Sequence, residues 1–390
     1  MVLQPTFASL AYDTKRKKTR REKFLGEMDE VMPWEELVKL VGEHYPKAGN
    51  GRQPMPLERM LRIYFLQQWY GLSDSGMEDA LYDSEAMRRF AGIDLVAYAI
   101  PDETTILNFR HLLEEHRLTE RIFEMTRGYL SEKELLVREG TIVDATIINA
   151  PASTKNASRT RDPEMKQTKK GNQWYFGMKA HVGTDTRRGV VHSIVVTNAA
   201  VHDSQVMEKL LHGEERALYG DKAYANKGKS EQFEFGGIAW HIDRKGTAGH
   251  PLTPMDQDWN REQHRTRAKG EHAFLVVKHR RGYRKVRYKG LLKNAAQVFS
   301  LFALANLYLV RKELLLMRGV VCPKAQPLPR QRWGQTGHQL TCASETAFWR
   351  TQTPKELFQP LDQRFPKRSA YQTSDRWRAN DVCSLLCPSN

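Results

Sequence analysis

Cysteine is missing from the first 321 residues of this 390-residue chain; all four, Cys322, Cys342, Cys383 and Cys387, lie beyond them. The main body therefore needs no disulfide and suits a reducing cytosol. A membrane-spanning run is missing too. The most apolar stretch, Ala295 to Val310, is too short to cross a bilayer and is broken by Gln297, Ser300 and Asn306, so it reads as a buried helix. The opening MVLQPTFASLAYD has no positive region ahead of a long apolar run, so no secretory signal is expected. Acids are the third shortage. There are 46 Asp and Glu against 61 Lys and Arg, a net charge of +15 and a pI near 9.6. The imbalance is clustered, in Lys15 to Arg21 and again between Arg261 and Lys293, where twelve Lys or Arg face two acids, Glu262 and Glu271. Such clustering favours a polyanion, most simply nucleic acid, over a membrane; a solvated basic surface is the plainer alternative.

What is present is an ordinary hydrophobic content and enough length for two domains. Residues 1 to about 135 read as helical. Pro56 opens LERMLRIYFLQQWYG, whose Leu57, Met60, Leu61, Tyr64, Phe65 and Trp69 recur at helical spacing, and Gly71 ends it. A second segment runs from Ser75 to Phe90. Asp102 can cap a third, through ILNFRHLLEEHRL. Short helices with tight turns are compatible with a helix-turn-helix DNA reader and equally with any helical bundle.

From about residue 137 the pattern changes to strands. GTIVDATIINA carries β-branched residues suited to a buried strand. A charged loop, Pro151 to Gly171, separates it from the alternating run Trp174 to Val182. Asp185-Thr186-Arg187-Arg188-Gly189 is a hairpin turn, and Gly189 to Thr197 the return strand. A helix over Asp203–Leu211, a strand over Ala217–Tyr224 ending in an acid, a strand over Gly237–Ile242 and a long basic helix over Asp258–His279 follow. This order is that of a ribonuclease-H-like α/β fold with a mixed sheet.

Asp144 sits inside the first of these strands, where a carboxylate needs a partner. It is either a strand-end or turn acid, or part of a metal site. Asp221 ends the fourth strand, beside the first in such a sheet. On a continuous helix at about 100° per residue, His264, Arg267, Glu271 and Lys278 fall at about 0°, 300°, 340° and 320°, on one face. That face is a solvated salt-bridge surface, Arg267 and Glu271 being four apart, or a site. Three close carboxylates repel unless cations are bound; two Mg²⁺ ions would neutralise them and clamp the attacking and leaving oxygens of a phosphodiester.

The segments RDPEMKQTKKGNQWYFGMKAHVGTD (161–185), NAAVHDSQV (198–206), LYGDKAYA (218–225) and HRTRAKGEHAFLVVKHRRG (264–282) resemble the DDE transposases of bacterial insertion sequences, in the IS-five group of the IS-four superfamily. The resemblance runs from about residue 10 to residue 318. Of that superfamily's Tyr-x2-Arg-x3-Glu-x6-Lys signature, Arg267, Glu271 and Lys278 match, and His264 stands in place of the tyrosine. The resemblance implies that Asp144, Asp221 and Glu271 are the catalytic, metal-binding triad. The ions implied are two Mg²⁺, for which Mn²⁺ can substitute. It implies that Arg267 and Lys278 contact the DNA backbone, with His264 at the remaining position of the signature. Asp203, beside His202, is an accessory acid or a helix cap. Trp174 beside Lys169 and Lys170 stacks on an unpaired base, or lies in the core.

The domains implied are an inverted-repeat-binding helical region (1–135), a DDE catalytic domain (136–318) and a Pro- and Cys-containing, poorly ordered tail (319–390). The basic run at 15–21 is a DNA-contacting arm or a solvated tail. The function implied is cleavage of double-stranded DNA at the element's ends and strand transfer to target DNA, by a homodimer in the bacterial cytoplasm at the nucleoid. A ribonuclease-H-like nuclease without strand transfer, and a DNA-binding protein without chemistry, are the alternatives.

Overall fold

A computed structural model describes residues 12, 14–50, 53–96, 98–155, 159–247 and 249–319. The four cysteines, and the tail from residue 320 on, lie outside the described residues. No helix among the described residues is long and apolar enough to cross a membrane.

Among the described residues, the N-terminal part holds the helices α1 (Arg20–Val31), α2 (Trp34–Gly42), α3 (Leu57–Tyr70), α4 (Asp74–Asp83), α5 (Glu85–Ala91), α6 (Glu103–Glu115) and α7 (Leu118–Glu132). Their ends follow from local chemistry. Thr19 and Glu22 form a reciprocal capping box at α1. Pro56 precedes α3 and Gly71 caps its C-terminus. Asp102 accepts from the Thr105 N–H at 2.7 Å to start α6. The segment expected over Ser75–Phe90 is two helices, α4 and α5, because the chain turns extended at Ser84. The basic run 15–21 is folded in part: Lys15 pairs with Glu22 and lies over the Tyr12 ring, and Arg20 and Arg21 belong to α1.

A six-stranded sheet follows: β1 (Gly140–Asn149), β2 (Lys166–Lys170), β3 (Gln173–Asp185), β4 (Val191–Asn198), β5 (Ala217–Gly220) and β6 (Ala239–Ile242). The path is β2-β3-β1-β5-β6, with β4 also paired to β3. β1, β3 and β4 are antiparallel, whereas β5 and β6 run parallel to β1. This is a ribonuclease-H-like sheet. β2 occupies part of the stretch expected to be loop. KQTKK has no apolar alternation; it is a strand because it pairs with the outer end of β3, Lys166 opposite Gly177 through Lys170 opposite Gln173. In place of one helix after β4, two short 3₁₀ turns cover Asp203–Gln205 and Met207–Leu210.

After α8 (Lys227–Phe235) and β6, the expected single basic helix is two: α9 (Pro254–Arg267) and α10 (Glu271–Leu275), the latter running into a π-turn at Val276–Arg280. The break has a steric cause. A Cβ on Gly270 would lie 3.1 Å from Thr184 Oγ1 and 3.2 Å from Ile142 Cγ2, so the chain here rests against β1 and β3. A Cβ on Gly189 (φ 72°) would stand 2.2 Å from the Lys269 carbonyl oxygen, and the Lys269 ammonium donates to the Thr186 carbonyl at 2.8 Å. At this close passage the hydrogen bonds tighten to the third residue back, Lys269 to Thr266, Gly270 to Arg267 and His272 to Lys269. His264 and Arg267 thus sit on α9, and Glu271 and Lys278 on the helical segment that follows the turn.

The last helix, α11 (Leu291–Met317), buries much of its length, each large apolar side chain contributing about 1.5–3 kcal/mol. The polar residues interrupting its apolar run are buried with partners. Gln297 donates to Gln68 at 3.2 Å, and Ser300 meets the Tyr64 hydroxyl at 2.8 Å. The Asn306 amide bridges the Val191 N–H and C=O at 2.8 and 2.7 Å, docking α11 on β4. One continuous core thus runs from α1 through α11 to the sheet.

Candidate active site

Strand register places the acids. Gly140, Thr141 and Ile142 lie opposite Ala217, Leu218 and Tyr219, and Ala217 to Gly220 opposite Ala239 to Ile242. Continued past the paired residues, the same register sets Asp144, midway along β1, level with Asp221 and Asp243, which directly follow β5 and β6. Side chains alternate along a strand. Val143 therefore faces a small core with Leu218, Tyr224 and Ile242, while Asp144 faces the other way. That other face is crossed by α9, whose Trp259 stacks on His241 (5.6 Å), itself stacked on Tyr219 (4.6 Å). The following segment then tracks β1, from Gly270 against Ile142 to Lys278, whose ammonium donates to the Ile147 carbonyl at 2.7 Å. Asp144 lies between those two contacts.

Asp144 is half-buried, and its Oδ1 accepts from the Ala145 N–H at 2.7 Å. Burial pushes its carboxyl up to about 6. The Ala145 hydrogen bond opposes this, the neighbouring Asp221 charge adds to it, and the Arg267 and Lys170 cations pull it back. Asp221 accepts from the Ala223 N–H at 2.9 Å. Among the described residues neither acid forms an ion pair within 4.0 Å. Glu271 opens α10 and is exposed. Among the described residues no three His, Cys, Asp or Glu side chains stand grouped tightly enough to hold a metal ion. The structure thus joins Asp144 and Asp221, brings Arg267, Lys278 and Lys170 within their electrostatic reach, and leaves the Glu271 carboxylate outside the pair. Burial lowers the pKa of Lys278, the Lys170 and Arg284 cations lower it further, and Asp144 raises it.

The remaining candidates divide. His264 is exposed and acts electrostatically on Asp243. Trp174 is 65% exposed, so it is not a core aromatic; it sits opposite Lys169, whose ammonium lies 6.0 Å from its ring centre. Asp203 is not a helix cap. It receives the Lys179 ammonium at 3.0 Å, with His181 Nδ1 3.6 Å away, and Lys179 is only 8% exposed. Asp243, absent from the sequence reading, is paired with Arg267. A signal for it existed: Ile242-Asp243 ends β6 as Gly220-Asp221 ends β5. Tyr224 was also missed; its hydroxyl is buried without a hydrogen-bond partner, and burial raises its pKa, as do the Asp203, Asp144 and Asp221 charges.

Two family descriptions match this chain: a transposase domain (DUF772) over residues 13–112, and the transposase DDE domain over residues 136–307. The chain carries a transposase DDE domain. It is a DDE transposase, an enzyme with endonuclease and strand-transfer activity on DNA, and DDE domains use divalent metal ions. Two solved structures show a distant likeness to this transposase. The cryo-EM structure of the piggyBac transposase synaptic complex with hairpin DNA is 9% identical, with a TM-score of 0.41, covering 80% of this chain and 80% of that one. The crystal structure of the Mos1 strand transfer complex is 13% identical, with a TM-score of 0.22, covering 70% of this chain and 81% of that one.

The donor set of the transposase suits a hard divalent cation. Asp144 and Asp221 offer carboxylate oxygens side by side and partly out of water, and among the described residues neither has an ion-pair partner within 4.0 Å.

Proposed function

We propose that this is an insertion-sequence transposase of the IS-five group, in which Asp144, Asp221 and Glu271 hold two Mg²⁺ ions. The observation that carries the reading is the strand register that sets Asp144 beside Asp221 without an ion-pair partner. The passage of the Gly270–Lys278 segment across β1 on either side of Asp144 supports Glu271 as the third acid. When bound, the divalent ions supply the positive charge that a phosphodiester displacement needs.

The chain's own residues do the rest. Asp144 and Asp221 present oxygens from rigid strands, so their separation is fixed by the sheet. Arg267, braced by Asp243, and Lys278, braced by the Ile147 carbonyl, hold a scissile phosphate by charge. Lys170, Lys169 and Trp174, on the β2–β3 hairpin, hold the flanking strand, and His264 lines the approach. In the first step a water oxygen bonds to phosphorus, the bond to the 3′ oxygen breaks, and that oxygen takes up a proton. In the second, the freed 3′-hydroxyl loses its proton and attacks a target phosphodiester, displacing another 3′ oxygen.

Residues 1–135 recognise the terminal inverted repeats, residues 136–318 carry the chemistry, and a homodimer holds both ends. The test supplies purified protein with pre-cleaved ends, Mg²⁺ and a target plasmid. Joined products are expected. Nicking alone would leave a nuclease, and binding alone a DNA-binding protein.

A further inference from the structure

A hollow of about 540 Å³ lies apart from the paired acids, where α1 meets the exit of the π-turn and α11. Six cations line it: Arg20, Arg21 and Lys23 from α1, Arg280 and Arg281 from the π-turn exit, and Arg311 from α11. Glu27 is the one acid in its lining among the described residues, and it is committed to Arg311 at 2.9 Å. So dense a cluster repels itself, and aromatic faces partly offset this. The Arg21 guanidinium stands 5.1 Å from the Tyr70 ring and that of Arg311 4.0 Å from Tyr308. Arg281 lies between Phe24 (4.7 Å) and Tyr308 (5.3 Å).

Arg281 is half-buried with a donor left over. Its Nη1 reaches the Trp69 carbonyl only at 3.5 Å, and its Nη2 is buried with no hydrogen-bond partner. Burial pulls its pKa down to about 10; the Tyr308 and Tyr70 hydroxyls oppose this, and the Arg280 and Arg311 cations reinforce it. A buried guanidinium with an unused donor, among other cations, gains most from an anion that accepts two of its hydrogen bonds.

We propose that this groove binds the phosphodiester backbone of duplex DNA, with Arg281 as the anchor and Arg20, Lys23 and Arg280 along its mouth. Six cations spread over a hollow of this size exceed what one small anion neutralises, which favours a polyanion. Guanidinium and ammonium groups on phosphates carry no base readout, so the interaction is independent of sequence. The inference rests on the reading of the chain as an enzyme acting on DNA, and adds a second hold on the duplex away from Asp144 and Asp221.

The test uses the full chain and a labelled duplex, with affinity measured by fluorescence anisotropy across a series of salt concentrations. The variant Arg20→Gln/Lys23→Gln removes two exposed charges from the groove, and Lys209→Gln/Lys227→Gln removes two exposed charges elsewhere. The groove variant is expected to bind about tenfold more weakly, and its slope of log K against log salt to shrink by about 1–2, at about 0.9 for each phosphate no longer neutralised. The control should keep the wild-type slope. Arg281→Lys, which keeps the charge but loses the fork, should weaken binding several-fold with an unchanged thermal midpoint. Equal affinity and slope for groove and control variants, with wild type binding DNA, would overturn the groove alone. Saturable binding of inorganic pyrophosphate, with DNA binding of the groove variant intact, would make it a small-anion site and also overturn it. Failure of the wild type to bind any duplex would overturn the proposed function as well.

Discussion

Two kinds of aspartate stand on and around one sheet. Asp203 and Asp243 each have a cation of their own, Lys179 and Arg267. Asp144 and Asp221 have each other and two backbone N–H groups. An acid that serves the fold carries its counter-charge within the chain. An acid that serves a reaction leaves that place for something the protein must acquire, and the fold bears the cost meanwhile.

The largest effect that tests this contrast is catalytic. Asp144→Asn or Asp221→Asn should lower Mg²⁺-dependent strand cleavage about 10³-fold or more while duplex binding in a gel shift stays within a few-fold. Near-wild-type cleavage by either variant would remove the metal-site assignment.

Stability should then move in opposite directions for the two kinds of acid. Asp203→Asn leaves the Lys179 ammonium buried without its counter-charge and should cost about 2–4 kcal/mol in denaturant unfolding. Asp144→Asn should raise metal-free stability at pH 7.5 by about 1–3 kcal/mol. Its carboxyl, at about 6 when folded against about 3.9 in an open chain, holds its proton more tightly in the folded state. That contribution is fully present below about pH 4, is lost as pH rises through about 6, and cannot be lost by asparagine. A fall in stability for Asp144→Asn would contradict the comparison.

The same pKa sets a pH dependence. Thermal stabilisation by Mg²⁺ requires the ionised carboxylate, so it should be full above about pH 7 and half gone near pH 6. A Mg²⁺ shift that is constant from pH 5 to pH 8 would disconnect Asp144 from the ion.

The smallest effect concerns the exposed tryptophan. Trp174→Ala should leave the thermal midpoint unchanged and weaken binding to an end with unpaired bases by about 1–3 kcal/mol, the worth of one stacked base. Equal loss on a fully paired duplex would argue against stacking.

Much of this was legible in the residues. Pro56 and Gly71 bracket α3, Gly189 marks the β3–β4 turn, and the β-branched run around Asp144 forms the strand it implies. What was not legible depends on distant parts of the chain. KQTKK becomes a strand through its pairing with β3 rather than through any apolar pattern. The break between α9 and α10 follows from Gly270 and Lys269 lying against β1, β3 and the Gly189 turn, a proximity no helical periodicity encodes. Asp203 could not be told from a helix cap until Lys179, 24 residues earlier, came within 3.0 Å. Asp243 was overlooked because a single acid after a four-residue strand looks like any strand end.

The parallel register of β1 and β5 bears on which changes in length the chain can absorb. Between Asn149 and Ala217 the polypeptide makes a hairpin, a long β3–β4 pair and two short turns, and residues added to its surface loops would leave Asp144 and Asp221 where they are. Within β5 no such freedom exists. One residue gained or lost between Ala217 and Asp221 would turn the acid to the opposite face of the sheet, toward Val143 and Leu218. Indels in this protein are thus tolerable by the dozen in one stretch and by none in the next.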